Sequence, residues 1–487
     1  MPELAKQHER ISRFLKRLIL LFILAFILIT LVVMLFRINY PYQLEWMEGG
    51  EVEHIIRLLE GKNIYTEPSL EFIPYIYTPF FYYIGAGISY LFGTSLATIR
   101  FLSLFSFILS LFFNYKIIFF ITKDHFWSIV GVGIYVLSFS TTGFWFDLAR
   151  VDSLANLLII ISFYFLLKET KREIFLSAIF SFLAFYTKQS YLLVTIFLVI
   201  PLFIQKKKLA FFFSTVYFAL VITSTVVESI LSNGWYFFWN FYFPSTHHWI
   251  WSRAITFWTV DILPFYSISL AIILAYILLN YKSIFVGSNS YFIFLFLGTM
   301  LSSYFSRLHY GGFLNVLMPL VFAISAFFPI VSNGLKNSNF PSKSIETVLV
   351  VLAFFQLVLL IYDPIYPIPK DSDKKDVEQV LNFAKSVGGD VYLMEYNFVQ
   401  RDFGLSSLPH YVLLNDLFIS NVPQKQKLFQ EFEIALKEKK FKAIILDDDL
   451  SLDLIDKYYW KTEKVFYHRV LNSKSSPYRR EVVWVPK

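Results

Sequence analysis

Apolar runs close to the length that crosses a bilayer recur along most of this chain, and no other feature restricts its architecture as much. They fall at 18–36, 74–93, 97–121, 126–142, 153–167, 174–187, 191–205, 209–231, 261–280, 290–305, 313–331 and 345–362, twelve in all. Hydrocarbon offers a backbone no hydrogen-bond partner, so spans of roughly 20 residues must be helical. Composition agrees: of 487 residues 56% are hydrophobic and 16% charged, and mean hydropathy is +0.56. The first run, Leu18–Phe36, has no small-residue cleavage site behind it and reads as a retained helix rather than a signal peptide. The expected fold is an all-α polytopic membrane protein of about 11–13 transmembrane helices, with a small soluble α/β domain at the C-terminus.

Basic residues set the expected topology. Lys6, Arg10, Arg13, Lys16 and Arg17 place the N-terminus in the cytoplasm by the positive-inside rule. Lys168 to Arg172, Lys206 to Lys208, Lys282, and the loop with Lys336 and Lys343 fall on that same side if every run from 153 onward spans once. Residues 145–152, 187–189, the aromatic loop 233–260, 306–312 and everything after Asp363 are then outside. Between Gly61 and Asp152, both outside, lie three apolar runs, yet an even number must cross. One of them does not span: the Pro- and Tyr-rich run 74–93, or the run interrupted by Asn114 and Lys116. Eleven spans are expected, or thirteen if a run splits. The domains are read as 1–363, with a first outer loop at 37–73, and a soluble extracytoplasmic α/β domain at 364–487. In the latter, strands are expected at Asp390–Tyr396, Lys442–Leu446, Lys464–Val470 and Val482–Val485, and a helix at Gln424–Lys440. The net charge of +7 is a topology signal and excludes nothing but a nucleic-acid reading. With no cysteine there is no disulfide framework and no thiolate metal site.

Candidate chemistry gathers at the outer face. Glu45, Glu48 and Glu51 crowd the segment after the first span. Val52, Ile55, Ile56 and Leu59 follow at helical spacing, which predicts a helix over Glu51–Leu59 lying on the membrane surface with its apolar face down. Arg150 with Asp152, Lys188 with Gln189, and Arg307 with His309 come from later outer segments. Carboxylates can serve as a general base, and cations can hold a phosphate leaving group. Each residue also has a plain reading. The glutamates can be a solvated helix face, Asp152 a helix N-terminal acid, Lys188 a snorkelling lysine, and residues 307–312 an ordinary turn. The aromatic loop is read either as an interfacial belt or as a lid over a lipid. His247 and His248 are adjacent and should point apart, so no shared metal is expected there. Asp447 to Asp449 read as an exposed acid run. No Gly-rich phosphate loop follows a strand, which gives no sign of a nucleotide-sugar site.

Trp46-Met47-Glu48-Gly49, then Ile56 to Tyr65, Tyr77-Thr78-Pro79-Phe80-Phe81-Tyr82, the stretch Gly93 to Arg100, Asp152, Phe185 to Gln189, and Ser306 to Gly312 with Asn315 and Pro319 come in a suggestive order. Together they resemble the GT-C glycosyltransferases that use polyprenyl-phosphate sugars, of the protein O-mannosyltransferase and lipid A aminoarabinose transferase type. The family has Asp-Glu in its first loop; here the first position is Met47, and the base role is carried to Glu48, with Glu45 as substitute. The resemblance implies a GT-C-like fold and an inverting transferase. It would move a sugar from a polyprenyl-phosphate carrier to an acceptor lipid, glycan or protein on the extracytoplasmic face of a plasma or inner membrane. Arg150, Lys188, Arg307 and His309 would bind the donor phosphate, and Asp152 would orient the acceptor or an optional divalent cation; no cofactor is required. The rival classes are a transporter or flippase of lipid-linked sugars, with ionisable residues near the midplane, and a non-catalytic membrane assembly protein.

Overall fold

The computed structural model describes residues 2–487 except 283–284, 337–341, 394, 407, 448–452, 470 and 472–477. Asp448 and Asp449 of the acid run, and the end of the strand expected to close at Val470, lie outside the described residues.

Helices α1 (Pro2–Ile38), α4 (Leu96–Thr122), α9 (Lys207–Leu231), α10 (Arg253–Leu279), α11 (Ser288–Leu308) and α12 (Leu314–Lys336) include the six that are long and apolar enough to cross a membrane. Five shorter ones run beside them: α5 (His125–Leu137), α6 (Val151–Leu166), α7 (Lys171–Thr187), α8 (Tyr191–Gln205) and α13 (Ser342–Val358). Polar contacts divide the ends of these helices between two faces. At one face Lys16 and Lys336 both meet Glu346 (2.5 and 3.2 Å), Lys336 meets Asp124, Lys206 meets Glu169, and Gln205 donates to the Gly287 carbonyl. These contacts tie the start of α1 and of α5 to the α12–α13 turn, and the α6–α7, α8–α9 and α10–α11 turns to one another. Arg37, Arg100, Arg150, Lys188 and Arg307 end or begin helices at the other face. Among the described residues eleven helices therefore run between the faces.

The apolar run 74–93 is the one that does not. It forms α3 (Phe80–Phe92), and both its ends lie at the second face. Thr78, just before it, donates to the Phe185 carbonyl in the last turn of α7 (2.8 Å), and Thr98, in the first turn of α4, donates to the Gly93 carbonyl behind it (2.9 Å). Thirteen residues at about 1.5 Å each are also too short to cross and return.

The first loop holds α2 (Glu48–Leu59), one turn longer than its apolar spacing predicts. Val52 and Ile55 are fully buried as expected, but the helix is not laid open on a lipid surface: Glu51, Glu53 and His54 are buried too. Covering it is the C-terminal region, with α14 (Asp371–Val387), α15 (Asn397–Asp402), α16 (Tyr411–Ile419) and α17 (Lys425–Lys437) around four strands. The strands are β1 (Val391–Leu393), β2 (Ala443–Asp447), β3 (Tyr459–Arg469) and β4 (Tyr478–Pro486), ordered β1-β2-β4-β3, with β1 and β2 parallel and the other pairs antiparallel. Arg401 on α15 grips Glu53 with two bonds (3.0 and 2.8 Å), and Lys427 on α17 meets Glu67 (2.6 Å).

Candidate active site

Glu48 begins α2 and is wholly buried. Its Oε1 accepts from Arg100 Nε (2.9 Å) and the Ala149 amide (2.8 Å); its Oε2 accepts from Arg100 NH2 (2.7 Å) and the Leu44 amide (2.7 Å). Arg100 spends its remaining donors on the carbonyls of Arg37, Tyr40 and Tyr42. Burial alone would raise the Glu48 carboxyl, but the Arg100 charge and these hydrogen bonds outweigh it and hold the group below its ordinary value. Every lone pair of Glu48 is therefore engaged in fixing the first loop to α4 and to the turn before α6. A second buried pair, Arg37 with Asp147 (2.7 Å), ties the end of α1 to that same turn.

Glu45 and Glu51 are placed differently. Both face Arg150, which is 2% exposed: its NH1 donates to Glu45 Oε2 (3.3 Å), its Nε lies 3.4 Å from Glu51 Oε1, and its NH2 donates to the Tyr77 hydroxyl (2.8 Å). Glu45 Oε1 and both Glu51 oxygens accept no hydrogen bond of good geometry, although the Tyr82 hydroxyl lies near enough to Glu51 to favour its charged form. Burial pushes Glu45 up to about 8 and Glu51 up to about 7, with Arg150 opposing the rise in each case. One guanidinium is shared by two buried carboxylates, and burial raises the proton affinity of both.

Beside it, Asp152 Oδ1 accepts from Lys188 Nζ (2.5 Å) and Asn315 Nδ2 (2.9 Å), and its Oδ2 accepts from Trp145 Nε1 (3.1 Å). Lys188 caps the end of α7 and keeps some exposure, 12% at the side chain. The fold thus brings together Glu45, Glu48, Glu51, Arg150, Asp152 and Lys188.

Arg307 and His309 stand in a neighbouring cluster. Arg307 is paired with Asp261 (2.8 Å) and donates to the Gly312 carbonyl (2.7 Å), while His309 Nε2 lies 3.1 Å from the Pro244 carbonyl. They brace the turn after α11 against the aromatic loop. Part of that loop is packed inward: Tyr236, Trp239 and Phe243 are buried, and Trp239 Nε1 donates to the Thr66 carbonyl of the first loop. Trp249 and Trp251 stay exposed. His247 packs against the His309 ring and His248 against the Tyr310 ring. Among the described residues no group of three or more His, Asp or Glu is arranged to hold a metal ion.

Sequence reasoning placed Arg100 in a motif and Trp145 and Asp147 in an outer segment but gave them no part in the site, and it passed over Arg37. It also missed what the C-terminal region contributes: Arg479 lies over the Trp46 ring (4.3 Å) while pairing with Glu395, and His410 Nε2 lies 2.9 Å from the Trp46 carbonyl. His54, with an ordinary-looking position in α2, is structural. Its Nδ1 meets the Gly50 carbonyl, its Nε2 accepts from the Tyr75 amide, and burial pushes it down to about 3.

No family model and no curated protein matches this sequence. Solved structures do. The aminoarabinose transferase ArnT of Cupriavidus metallidurans, in its apo state, aligns with a TM-score of 0.60 at 11% identity, over 95% of this chain and 97% of that one. The same protein bound to undecaprenyl phosphate gives 0.57 at 10%, over 95% and 98%. The oligosaccharyltransferase of Archaeoglobus fulgidus, tethered to an acceptor peptide, gives 0.50 at 9%, over 93% and 74%. At such identities the likeness is one of architecture alone: the chain shares the GT-C fold of those structures.

Proposed function

We propose that this protein is an inverting glycosyltransferase that moves a sugar from a polyprenyl-phosphate carrier to an acceptor at the face bearing the first loop. Three things support the reading: the fold, the undecaprenyl phosphate bound by the similar ArnT structure, and the mixed charge cluster at one end of the bundle. The observation that carries it is Arg150, buried between the Glu45 and Glu51 carboxylates and next to the Lys188–Asp152 pair. One carboxylate of the Glu45–Glu51 pair takes the proton from the acceptor hydroxyl or amine. The acceptor atom bonds to the anomeric carbon as the bond from that carbon to the phosphate oxygen breaks. Lys188 and Arg150 hold the phosphate as it gains charge. Glu48, with no lone pair to spare, positions the loop. A divalent cation, where the reaction uses one, would take the open oxygens of Glu45 and Glu51 as donors. A transporter would gather such groups near the midplane, and these sit at one end.

The opposite face carries Lys16, Lys123, Lys168, Lys171, Lys206, Lys207, Lys208 and Lys336, which favours a cytoplasmic placement there and an extracytoplasmic site. The test is transfer from a radiolabelled polyprenyl-phosphate sugar in membranes. Glu45→Gln or Glu51→Gln should reduce the rate by about a hundredfold or more with unchanged expression. Wild-type rates in both would sink the assignment.

A further inference from the structure

We infer that Phe313, with Trp46 and Trp145, forms a subsite for the sugar ring of the donor; this rests on the transferase reading above. Phe313 is an apolar side chain left 39% exposed beside a buried charge cluster. Its backbone is pinned on both sides. The Gly312 carbonyl accepts from Arg307 NH1 (2.7 Å) and Arg253 NH1 (3.0 Å), and Asn315, two residues on, donates to Asp152 (2.9 Å). Gly312 must be glycine for this, since a Cβ there would lie 2.1 Å from the Ser306 carbonyl oxygen. The turn therefore holds the ring in one place. The ring stands edge-on to Trp46 (5.0 Å, 86°) and offset-stacked near Trp145 (6.5 Å, 20°), and the rest of it stays open.

The neighbours of these rings say what should fill the open side. Trp145 bonds Asp152, the partner of Lys188, on the side assigned to the phosphate. Trp46 follows Glu45, on the side assigned to the base, and Arg479 covers its ring. A group lying over Phe313 sits between phosphate and base, where the transferred ring must be. A pyranose offers an apolar C–H face to an aromatic ring and hydroxyls to the surrounding charges. The prenyl chain, the other apolar part of the donor, belongs on the lipid side.

The experiment is equilibrium binding to the purified full-length protein in lipid nanodiscs. The probes are radiolabelled undecaprenyl-phosphate glucose, mannose and galactose, and undecaprenyl phosphate without sugar. Phe313→Ala should weaken the best sugar-bearing probe about three- to tenfold and leave the bare phosphate within twofold, and Phe313→Trp should restore binding. Equal weakening of both probes would assign Phe313 to the prenyl chain, and no change in either would remove it from the site; both overturn the subsite alone. Failure of the wild-type protein to bind any of the four probes overturns the transferase reading, and the subsite with it.

Discussion

Three glutamates within seven residues, Glu45, Glu48 and Glu51, meet different surroundings. Their positions were legible in the sequence but their roles were not, because the deciding partners, Arg100 and Ala149, lie 52 and 101 residues from Glu48. The spacing of carboxylates says nothing about which one is neutralised. Two consequences follow at this scale. Glu48→Ala leaves Arg100 buried and uncompensated and should destabilise the protein by about 3–5 kcal/mol, read as a large drop in melting temperature. Glu45→Gln should leave melting nearly unchanged. The second concerns pH. Glu45 and Glu51 keep their protons up to about 8 and 7 in the folded chain, against an ordinary value of 4.5. Their contribution to stability is whole below pH 4.5 and is lost as the pH rises toward 7 and 8, whereas that of Glu48, whose value is lowered, is lost as the pH falls. A base must be ionised to act, so transfer should climb between about pH 7 and 8. A climb centred near 4.5 would point to an ordinary, solvated carboxylate instead.

Among the elements, the helical spacing in α2 and the parity of the basic loops were sufficient to foresee a helix after the first span and one apolar run that fails to cross. Hydropathy alone could not choose between 74–93 and the run with Asn114; the choice falls on α3 because both its ends are held at the face that bears the first loop. What covers α2 was also hidden, since its polar side is matched by residues more than 300 positions away, such as Arg401 on Glu53. That sandwich makes neighbouring glycines unequal. A Cβ at Gly50 would fall 1.8 Å from the Tyr75 hydroxyl and 2.3 Å from its ring, and Tyr75 is buried and fixed by its bond to the Met47 carbonyl. At Gly49 the nearest obstacle is the Gln43 amide, the free end of a flexible side chain. Gly50→Ala should cost about 1–3 kcal/mol and disturb the loop that holds Glu51. Gly49→Ala should be nearly neutral, because the better helix propensity of alanine offsets a small shift of Gln43. Thermal unfolding of the two variants separates them; equal melting temperatures would mean that Tyr75 yields.

For the whole molecule, the odd number of crossings joins the two ends of the argument, because it puts the basic face and the C-terminal sheet on opposite sides of a bilayer. The absence of cysteine makes this directly measurable, since any introduced thiol is the sole target. Lys207, at the start of α9, and Lys440, after α17, are both exposed, and five helices, α9 to α13, separate them. In intact cells a membrane-impermeant maleimide should label Lys440→Cys and spare Lys207→Cys until the membrane is opened. Labelling of both in intact cells would contradict the odd count between them. The reverse pattern would mean either that 74–93 crosses after all or that the bundle sits inverted. In the first case Lys188 would lie on the cytoplasmic side and Glu45 and Glu51 on the other, which would split the site; in the second all three would open to the cytoplasm, where soluble nucleotide sugars are at hand. A lipid-linked donor is most useful on the side that lacks them, so the labelling pattern bears on the donor as much as on the topology.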